Sequence, residues 1–179
     1  FKEGQRIRVA ISTSLWPMVW PSSRPVSLGV YPGASILELP IRSSRHVDNT
    51  LKDVPPPTMS AVEPVTALRA ASPTSVVLST DLARGSTEFR QFIDDGLTRV
   101  DKHGWSFGAT TEVIQRISDD DPLTAEIKLR GEVAYARDGV CDVRVELHTR
   151  MTADHDYFHV RARIDAYNNE QPVFACSWL

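Results

Sequence analysis

Two stretches in the last third of the chain alternate apolar and polar residues more strictly than any other part of the sequence. They run from Asp142 to Met151 and from Tyr157 to Tyr167. Because successive side chains of a β-strand point to opposite faces, this alternation predicts two amphipathic strands. Their apolar positions are Val143, Val145, Leu147 and Met151 in the first, and Phe158, Val160, Ala162, Ile164 and Ala166 in the second.

Charge pairing predicts the alignment of these two strands, because apolar residues must face apolar residues and opposite charges favour each other. A register that places Met151 opposite Phe158 also places Glu146 opposite Arg163 and Arg144 opposite Asp165. A slip by two residues that sets Arg144 against Arg163 is disfavoured by the like charges.

The same reasoning applies to the hairpin before it. A three-residue loop, Arg137-Asp138-Gly139, with the glycine in a left-handed conformation, pairs Glu132 with Arg144 and Arg130 with Glu146. The prediction is a three-stranded antiparallel meander with one apolar and one charged face.

The first third of the chain also alternates, and it is rich in proline. Ile7, Val9 and Ile11 share one side of a predicted strand, and two further predicted strands, Val26–Tyr31 and Ile36–Ile41, are joined by a turn at Pro32-Gly33. Nine of the twelve prolines precede residue 65, which excludes long helices there. Residues 42–64 have no period and contain three successive prolines, which predicts a linker or a surface strap.

After residue 65 the pattern again predicts strands, at Val76–Leu78, Glu112–Ile117 and Ala125–Tyr135. The last two flank an acidic turn, Asp119-Asp120-Asp121-Pro122. Thr87–Ile93 fits a strand or a helix; a strand is favoured, with Asp94-Asp95-Gly96 as the turn after it. The predicted organisation is residues 1–41, the strap 42–64, and an antiparallel extension over 65–179, all β.

Composition excludes several classes of protein. The net charge is −3 and the basic residues are scattered among acids, so no nucleic-acid binding is expected. No apolar run reaches the length of a membrane span, so no membrane association is expected, and the predicted location is cytoplasmic. Cys141 and Cys176 are each in phase with apolar neighbours and are predicted to be buried free thiols. No cofactor is expected.

The string Gly104-Trp105-Ser106-Phe107-Gly108 matches the G-x-S-x-G motif of α/β-hydrolases. That motif requires a buried strand before the serine and a helix after it. Here polar residues, 99–103, precede it, and β-branched residues follow it. We therefore predict no catalytic residue in this chain.

The five histidines (His46, His103, His148, His155 and His159) and the Asp119–Asp121 run are predicted to be solvated surface groups. The histidines include no helical H-x-x-x-H pair for zinc, and the aspartates lack the glycine and distal glutamate of an EF-hand. No metal site is predicted. His148 and His159 are expected near each other on the charged face, with His155 at the hairpin tip.

Trp16, Met18 and Trp20 lie in an apolar, proline-containing segment, Ser14–Ser22. Exposed, such a segment marks an interface or a ligand groove; buried, it closes the end of a sandwich core. Both readings remain open, and these three residues are the interface candidates.

Residues 4–14 running into Trp16–Pro21 resemble the C-terminal domain of the CocE/NonD hydrolases, α/β serine hydrolases related to X-Pro dipeptidyl-peptidases and cocaine esterase. The resemblance continues in Ile36–Pro40, Asp120–Ala125, Phe158–Tyr167 and Val173–Trp178. It implies a galactose-binding-like jelly roll, or β-sandwich, whose last strands are residues 1–41, followed by the antiparallel meander. It also implies a catalytic α/β-hydrolase domain as partner, which holds the Ser-Asp-His triad outside this chain.

The expected function is therefore that of a non-catalytic C-terminal β domain of a bacterial-type acyl esterase or X-Pro dipeptidyl-peptidase, which packs on the catalytic domain and helps shape the substrate entrance. In that family part of the jelly roll precedes the segment matched by Phe1–Thr13, so unpaired strands could also join two copies into a homodimer. The alternatives are a carbohydrate-binding β-sandwich module and a free-standing esterase acting through Ser106.

Overall fold

The structure, a computed structural model, describes residues 4–40, 42–43, 45–50, 52 and 54–179, without the side chain of Asn49. In this part of the chain a 3-10 helix, His46–Thr50, lies within the predicted strap. Eight β-strands follow it: β1 (Val65–Arg69), β2 (Ser72–Asp81), β3 (Ser86–Val100), β4 (Trp105–Ser118), β5 (Asp121–Arg137), β6 (Cys141–Ala153), β7 (Phe158–Asn168) and β8 (Gln171–Trp178).

The strands form a single antiparallel sheet in the order β1-β3-β4-β5-β6-β7-β8, and β2 pairs with β3 beside β1. From β3 onward each strand pairs with the next along the chain. The predicted all-β class and the antiparallel meander are confirmed. No helix among the described residues is long and apolar enough to cross a membrane.

The chain divides into two compact units by its internal contacts. One combines Phe1–Ser27 with Glu63–Leu179 and holds the whole sheet. The other is Leu28–Val62 and holds the 3-10 helix.

The prediction of three strands before residue 42 is wrong for the residues described there, because residues 4–40 contain no strand. Ile7, Val9 and Ile11 are each more than half exposed, at 54%, 56% and 61%. A strand persists only when its backbone N–H and C=O groups are paired, and no described strand pairs with this segment. The turn at Pro32-Gly33 is confirmed, closed by the Ala34 N–H donating to the Tyr31 carbonyl at 3.0 Å.

Strand β3 confirms the preference for strand over helix at Thr87–Ile93, but the turn predicted at Asp94-Asp95-Gly96 is wrong. The strand continues through these residues with a β-bulge, since Asp94 pairs with Thr110 and Leu97 with Gly108. Gly96 has φ +75°, which a bulge accommodates and which favours glycine. The extra residue shifts the alternation of the strand, so that Val100 rather than Leu97 lies on the same face as Phe89 and Ile93.

The register predicted for β6 and β7 is wrong by two residues. Met151 pairs with Val160 rather than Phe158, so Glu146 lies opposite Asp165 and Arg144 opposite Tyr167. The like charges are neutralised within each strand, because Arg144 bonds Glu146 and Arg163 bonds Asp165 at 2.6 and 2.7 Å. Same-strand pairing at i, i+2 therefore removes the cross-strand constraint on which the prediction relied.

The loop between β6 and β7 fixes the observed register instead. The Asp154 carboxylate accepts hydrogen bonds from the Asp156 and Tyr157 N–H groups, each at 2.8 Å, and the Asp154 N–H donates to the Tyr157 carbonyl at 3.0 Å. These bonds close a tight loop directly after the pair Ala153–Phe158.

The hairpin of β5 and β6 has a three-residue loop, as predicted, but the loop is Asp138-Gly139-Val140, one residue later. Arg137 pairs with Cys141, so Glu132 lies opposite Glu146 and Arg130 opposite His148 rather than the predicted partners. Gly139 has φ +70°, confirming its left-handed conformation. The turn is closed by Val140 N–H donating to the Arg137 carbonyl at 2.9 Å, which sets the register without any charge pair.

The sheet has an apolar and a charged face, and the apolar face is incompletely covered. Among the described residues, Ala125 is the hydrophobic residue that is buried, at 1% exposed. The apolar side chains on this face include Phe107, Val113, Leu129, Tyr135, Val145, Leu147, Ile164, Phe174 and Trp178.

Candidate functional site

The string Gly104–Gly108 lies at a turn followed by a strand. Gly104 has φ +72° and its N–H donates to the Val100 carbonyl at 2.9 Å, which ends the turn between β3 and β4. Trp105 begins β4, where the hydrolase motif would require a helix. The first glycine is therefore explained by the turn.

The second glycine of the string is explained by a close approach of two backbones. A Cβ atom on Gly108 would overlap the carbonyl oxygen of Gly96, in the bulge of β3. Ser106, between these glycines, is 6% exposed and lies opposite Arg99 on β3 and Ala136 on β5. Neither neighbour can act as a general base for a serine nucleophile.

The histidines and the acidic turn are not brought together into a site. His148 lies opposite Arg130 and Arg163, while His159 lies four residues further along β7 from Arg163. His159 Nε2 is 2.7 Å from the Asp154 carboxylate. Backbone hydrogen bonds from Asp156, the side chain of His159 and the Tyr157 N–H together lower the pKa of Asp154 to about 2. The described residues contain no group of three or more side chains able to hold a metal ion.

The acidic turn is a structural connection between β4 and β5. The Asp121 carboxylate accepts the Leu123 N–H at 3.0 Å, and the Thr124 hydroxyl donates to the Asp121 carbonyl at 2.6 Å. The Thr124 hydroxyl also accepts the Ser118 N–H at 2.8 Å. These bonds satisfy the backbone of the turn.

The three interface candidates separate into two groups. Trp16 and Trp20 pack edge to face, 5.3 Å apart, and Trp20 packs in the same way on Phe158 at the start of β7, 5.8 Å away. Gln115 Nε2, on the apolar face of β4, donates to the Pro17 carbonyl at 3.5 Å. The two tryptophans thus attach this segment to the apolar face, whereas Met18 is 81% exposed.

The indole N–H of Trp16 is buried and has no hydrogen-bond partner among the described residues. Val19, whose N–H donates to the Leu15 carbonyl at 2.9 Å, is 56% exposed beside Met18. A buried indole N–H normally has an acceptor. Among the described residues, the Trp16 indole is therefore a buried side-chain donor without a partner, and the segment also has an outward apolar surface.

The sequence prediction missed a second set of exposed aromatic residues, on the apolar face far from the Trp16 segment in the chain. They are Phe107 at 47%, Tyr135 at 51%, Phe174 at 55% and Trp178 at 48% exposed. Phe107 pairs with Tyr135 across β4 and β5, and the other two alternate along β8. Their alternation was visible in the sequence, but their exposure depends on what covers the sheet.

Comparisons with protein families, with curated proteins and with solved structures found no match.

Proposed function

We propose that this chain is the non-catalytic C-terminal β domain of a serine hydrolase of the acyl esterase or X-Pro dipeptidyl-peptidase type, as the resemblance to the CocE/NonD hydrolases implies. It packs on the catalytic α/β domain and helps shape the substrate entrance. The observation that carries this proposal is the large apolar face that the described chain leaves open.

The energetic argument starts from the four exposed aromatic residues of the apolar face. Complete burial of one such side chain contributes about 1.5–3 kcal/mol. Each of the four is roughly half exposed, so a covering partner would contribute several kcal/mol in total. Monomeric proteins rarely expose contiguous apolar patches above a few hundred Å², and larger patches mark protein interfaces.

The segment around Met18 extends the same surface. Met18 and Val19 project from a segment that Trp16 and Trp20 anchor to the sheet.

The carbohydrate-binding alternative has weaker support. A sugar-binding platform needs an exposed aromatic ring face, but Trp16 and Trp20 meet at an interplanar angle of 81° and are both partly buried. The most exposed large apolar residue of the segment is Met18, which has no ring. This segment therefore fits a protein partner better than a sugar.

The test is association with the polypeptide that the same gene encodes before Phe1, expressed separately and titrated by calorimetry. We expect binding, and Phe107→Asp should weaken it by at least about 10-fold, because the charge would have to be buried against the partner. Leu82→Asp is the matched control, since Leu82 is 91% exposed in the β2–β3 turn and should have no effect.

Two results would contradict the proposal. One is an upstream polypeptide without a G-x-S-x-G motif between a strand and a helix. The other is hydrolysis of a chromogenic ester by the chain alone that Ser106→Ala abolishes. If Phe107→Asp bound as tightly as the unmodified chain, the apolar face around Phe107 would not be part of the interface.

A further inference from the structure

The charged face of the meander contains a grid of six basic side chains on three adjacent strands. Lys128 lies opposite Arg150, which lies opposite Arg161; in the next row, Arg130 lies opposite His148, which lies opposite Arg163. Alternate residues of paired strands share a face, so all six project from the same side of the sheet. We call this set the basic grid.

This arrangement is unfavourable for the chain alone. Like charges directly opposite each other on neighbouring strands destabilise a sheet. In one row three cations lie side by side; Glu126 bonds Lys128 and Arg150, and Arg161 has no ion pair among the described residues. Within the described residues this row therefore keeps an excess of positive charge.

Only part of this charge is neutralised. Glu126 lies 2.8 Å from Lys128 and also bonds Arg150, and these bonds lower the pKa of Glu126 more than its partial burial raises it. Asp165 forms two hydrogen bonds with Arg163. Five permanent cations and two acids leave a charge of +3 in a chain of net charge −3.

Two arginines of the basic grid have no ion-pair partner among the described residues, Arg130 and Arg161. Glu112 lies opposite Arg130 on β4, but its carboxylate is 3.5 Å from Arg90. The side chains of Arg130 and Arg161 are both exposed. The charged face thus carries guanidinium groups that no acid of the described chain neutralises.

The neighbouring row limits what the basic grid can bind. Glu132, Glu146 and Asp165 lie opposite one another and form an acidic border directly beside the basic grid. A nucleic-acid backbone would cross this border and be repelled. A single small anion would be held only by exposed side chains, which compete poorly with water.

We infer that the basic grid binds an extended acidic segment of a partner protein. Carboxylates two residues apart on an extended chain are separated by about 6.8 Å, the same spacing as the two rows of the basic grid. Arg130 and Arg161 each offer a planar pair of N–H donors that matches a carboxylate. This inference is independent of the proposed hydrolase partner, because it concerns the opposite face of the sheet.

The experiment measures binding of a fluorescein-labelled octapeptide that alternates Glu and Ser, by fluorescence anisotropy at low salt. We expect binding that weakens as NaCl rises, since exposed charges are screened within about 10 Å at 0.1 M. The double variant Arg130→Gln with Arg161→Gln should bind at least about 10-fold more weakly. Its matched control, Arg84→Gln with Lys102→Gln, removes the same charge from exposed turns and should bind like the unmodified chain.

Thermal unfolding of the same variants distinguishes binding from a structural role. Removing Arg130 and Arg161 should leave the melting temperature unchanged or raise it, because it relieves like-charge repulsion. A fall in melting temperature would mean that these side chains support the fold and would overturn the inference.

Three binding results would also overturn it. They are the absence of peptide binding at low salt, an equal loss in the control variant, and equal binding of a peptide with Gln in place of Glu. Displacement of the peptide by inorganic phosphate at micromolar concentration would overturn it too, and would assign the basic grid to a small anion instead.

Discussion

Residues 6–11 and strand β6 have the same alternating pattern, and only one of them is a strand. In Arg6–Ile11 both the apolar and the polar side chains are exposed, and no backbone hydrogen bond is formed within the described part of the chain. In β6 each residue from Val143 to Thr152 pairs with β5 on one side and β7 on the other. Alternation therefore specifies which face a strand would bury, whereas a neighbouring strand decides whether the strand exists.

The difference has a bearing on the proposed function. Arg6–Ile11 has the side-chain pattern of a strand and its backbone groups are unpaired, so it is suited to pairing with a strand from outside the described residues. The apolar face of the sheet is comparable, because its side chains have no covering layer among the described residues. The proposed function would account for both features, because a partner could pair the backbone of Arg6–Ile11 and cover the apolar face.

Amide hydrogen exchange should give the largest contrast between the two regions. We expect the amides of Ile7, Val9 and Ile11 to exchange at least about 10³-fold faster than those of Val145 and Leu147, which lie in the centre of the sheet. Mass spectrometry of peptic fragments would measure this. Equal protection of the two regions would mean that Arg6–Ile11 pairs with a strand, and would contradict the difference described between this segment and β6.

The second largest contrast is expected in the loss of stability when a glycine is replaced by alanine, in the sheet and in the first third of the chain. Gly108→Ala should destabilise the sheet by about 3 kcal/mol, because the new Cβ would collide with the backbone of Gly96. Gly33→Ala is the matched control, since a Cβ on Gly33 meets no atom within 4 Å and its φ lies outside the left-handed range. Chemical denaturation of both variants measures the difference; similar losses would show that the close approach in the sheet is not limiting.

The smallest expected effect is the pH dependence of the stability that Asp154, in the β6–β7 loop, contributes to the fold. The pKa of Asp154 is about 2 in the folded chain, below the usual 3.8, so its carboxylate stabilises the fold above about pH 4. This stabilisation should be lost as the pH falls from about 4 to about 2. The melting temperature of Asp154→Ala should therefore lie below that of the unmodified chain at neutral pH and converge with it near pH 2.

Asp120→Ala provides the control for that measurement, because the Asp120 side chain accepts no hydrogen bond among the described residues. It should change the melting temperature little at any pH. A difference between Asp154→Ala and the unmodified chain that persists at pH 2 would show that Asp154 acts through packing rather than through its charge.

Much of the sheet was predictable, and the failures have a common physical cause. The strands around Val76, Glu112 and Val143 follow from local alternation, and the left-handed Gly139 follows from loop chemistry. Both hairpin registers were inferred from cross-strand charge pairs. They were wrong because arginine side chains are long enough to pair within their own strand, so a charge pair specifies register weakly compared with a closed turn.

Of the candidate site, the sequence predicted the apolar segment around Trp16, Met18 and Trp20 but could not decide between core and interface. The structure places Trp16 and Trp20 against the sheet and Met18 outward. The basic grid was not predicted, because it requires the correct register of β5, β6 and β7. A shift of two residues would place Arg130 opposite Glu146, and the rows of basic side chains would not form.

The sequence by itself determined the β class, the two faces of the sheet and the turns at Gly33 and Gly139, because these depend on neighbours only a few residues apart. Tertiary structure alone decided which alternating segments became strands, which glycine required the absence of a Cβ, and which charges met. Those outcomes depend on backbone pairing between distant parts of the chain, where a shift of two residues preserves every local pattern and changes every contact.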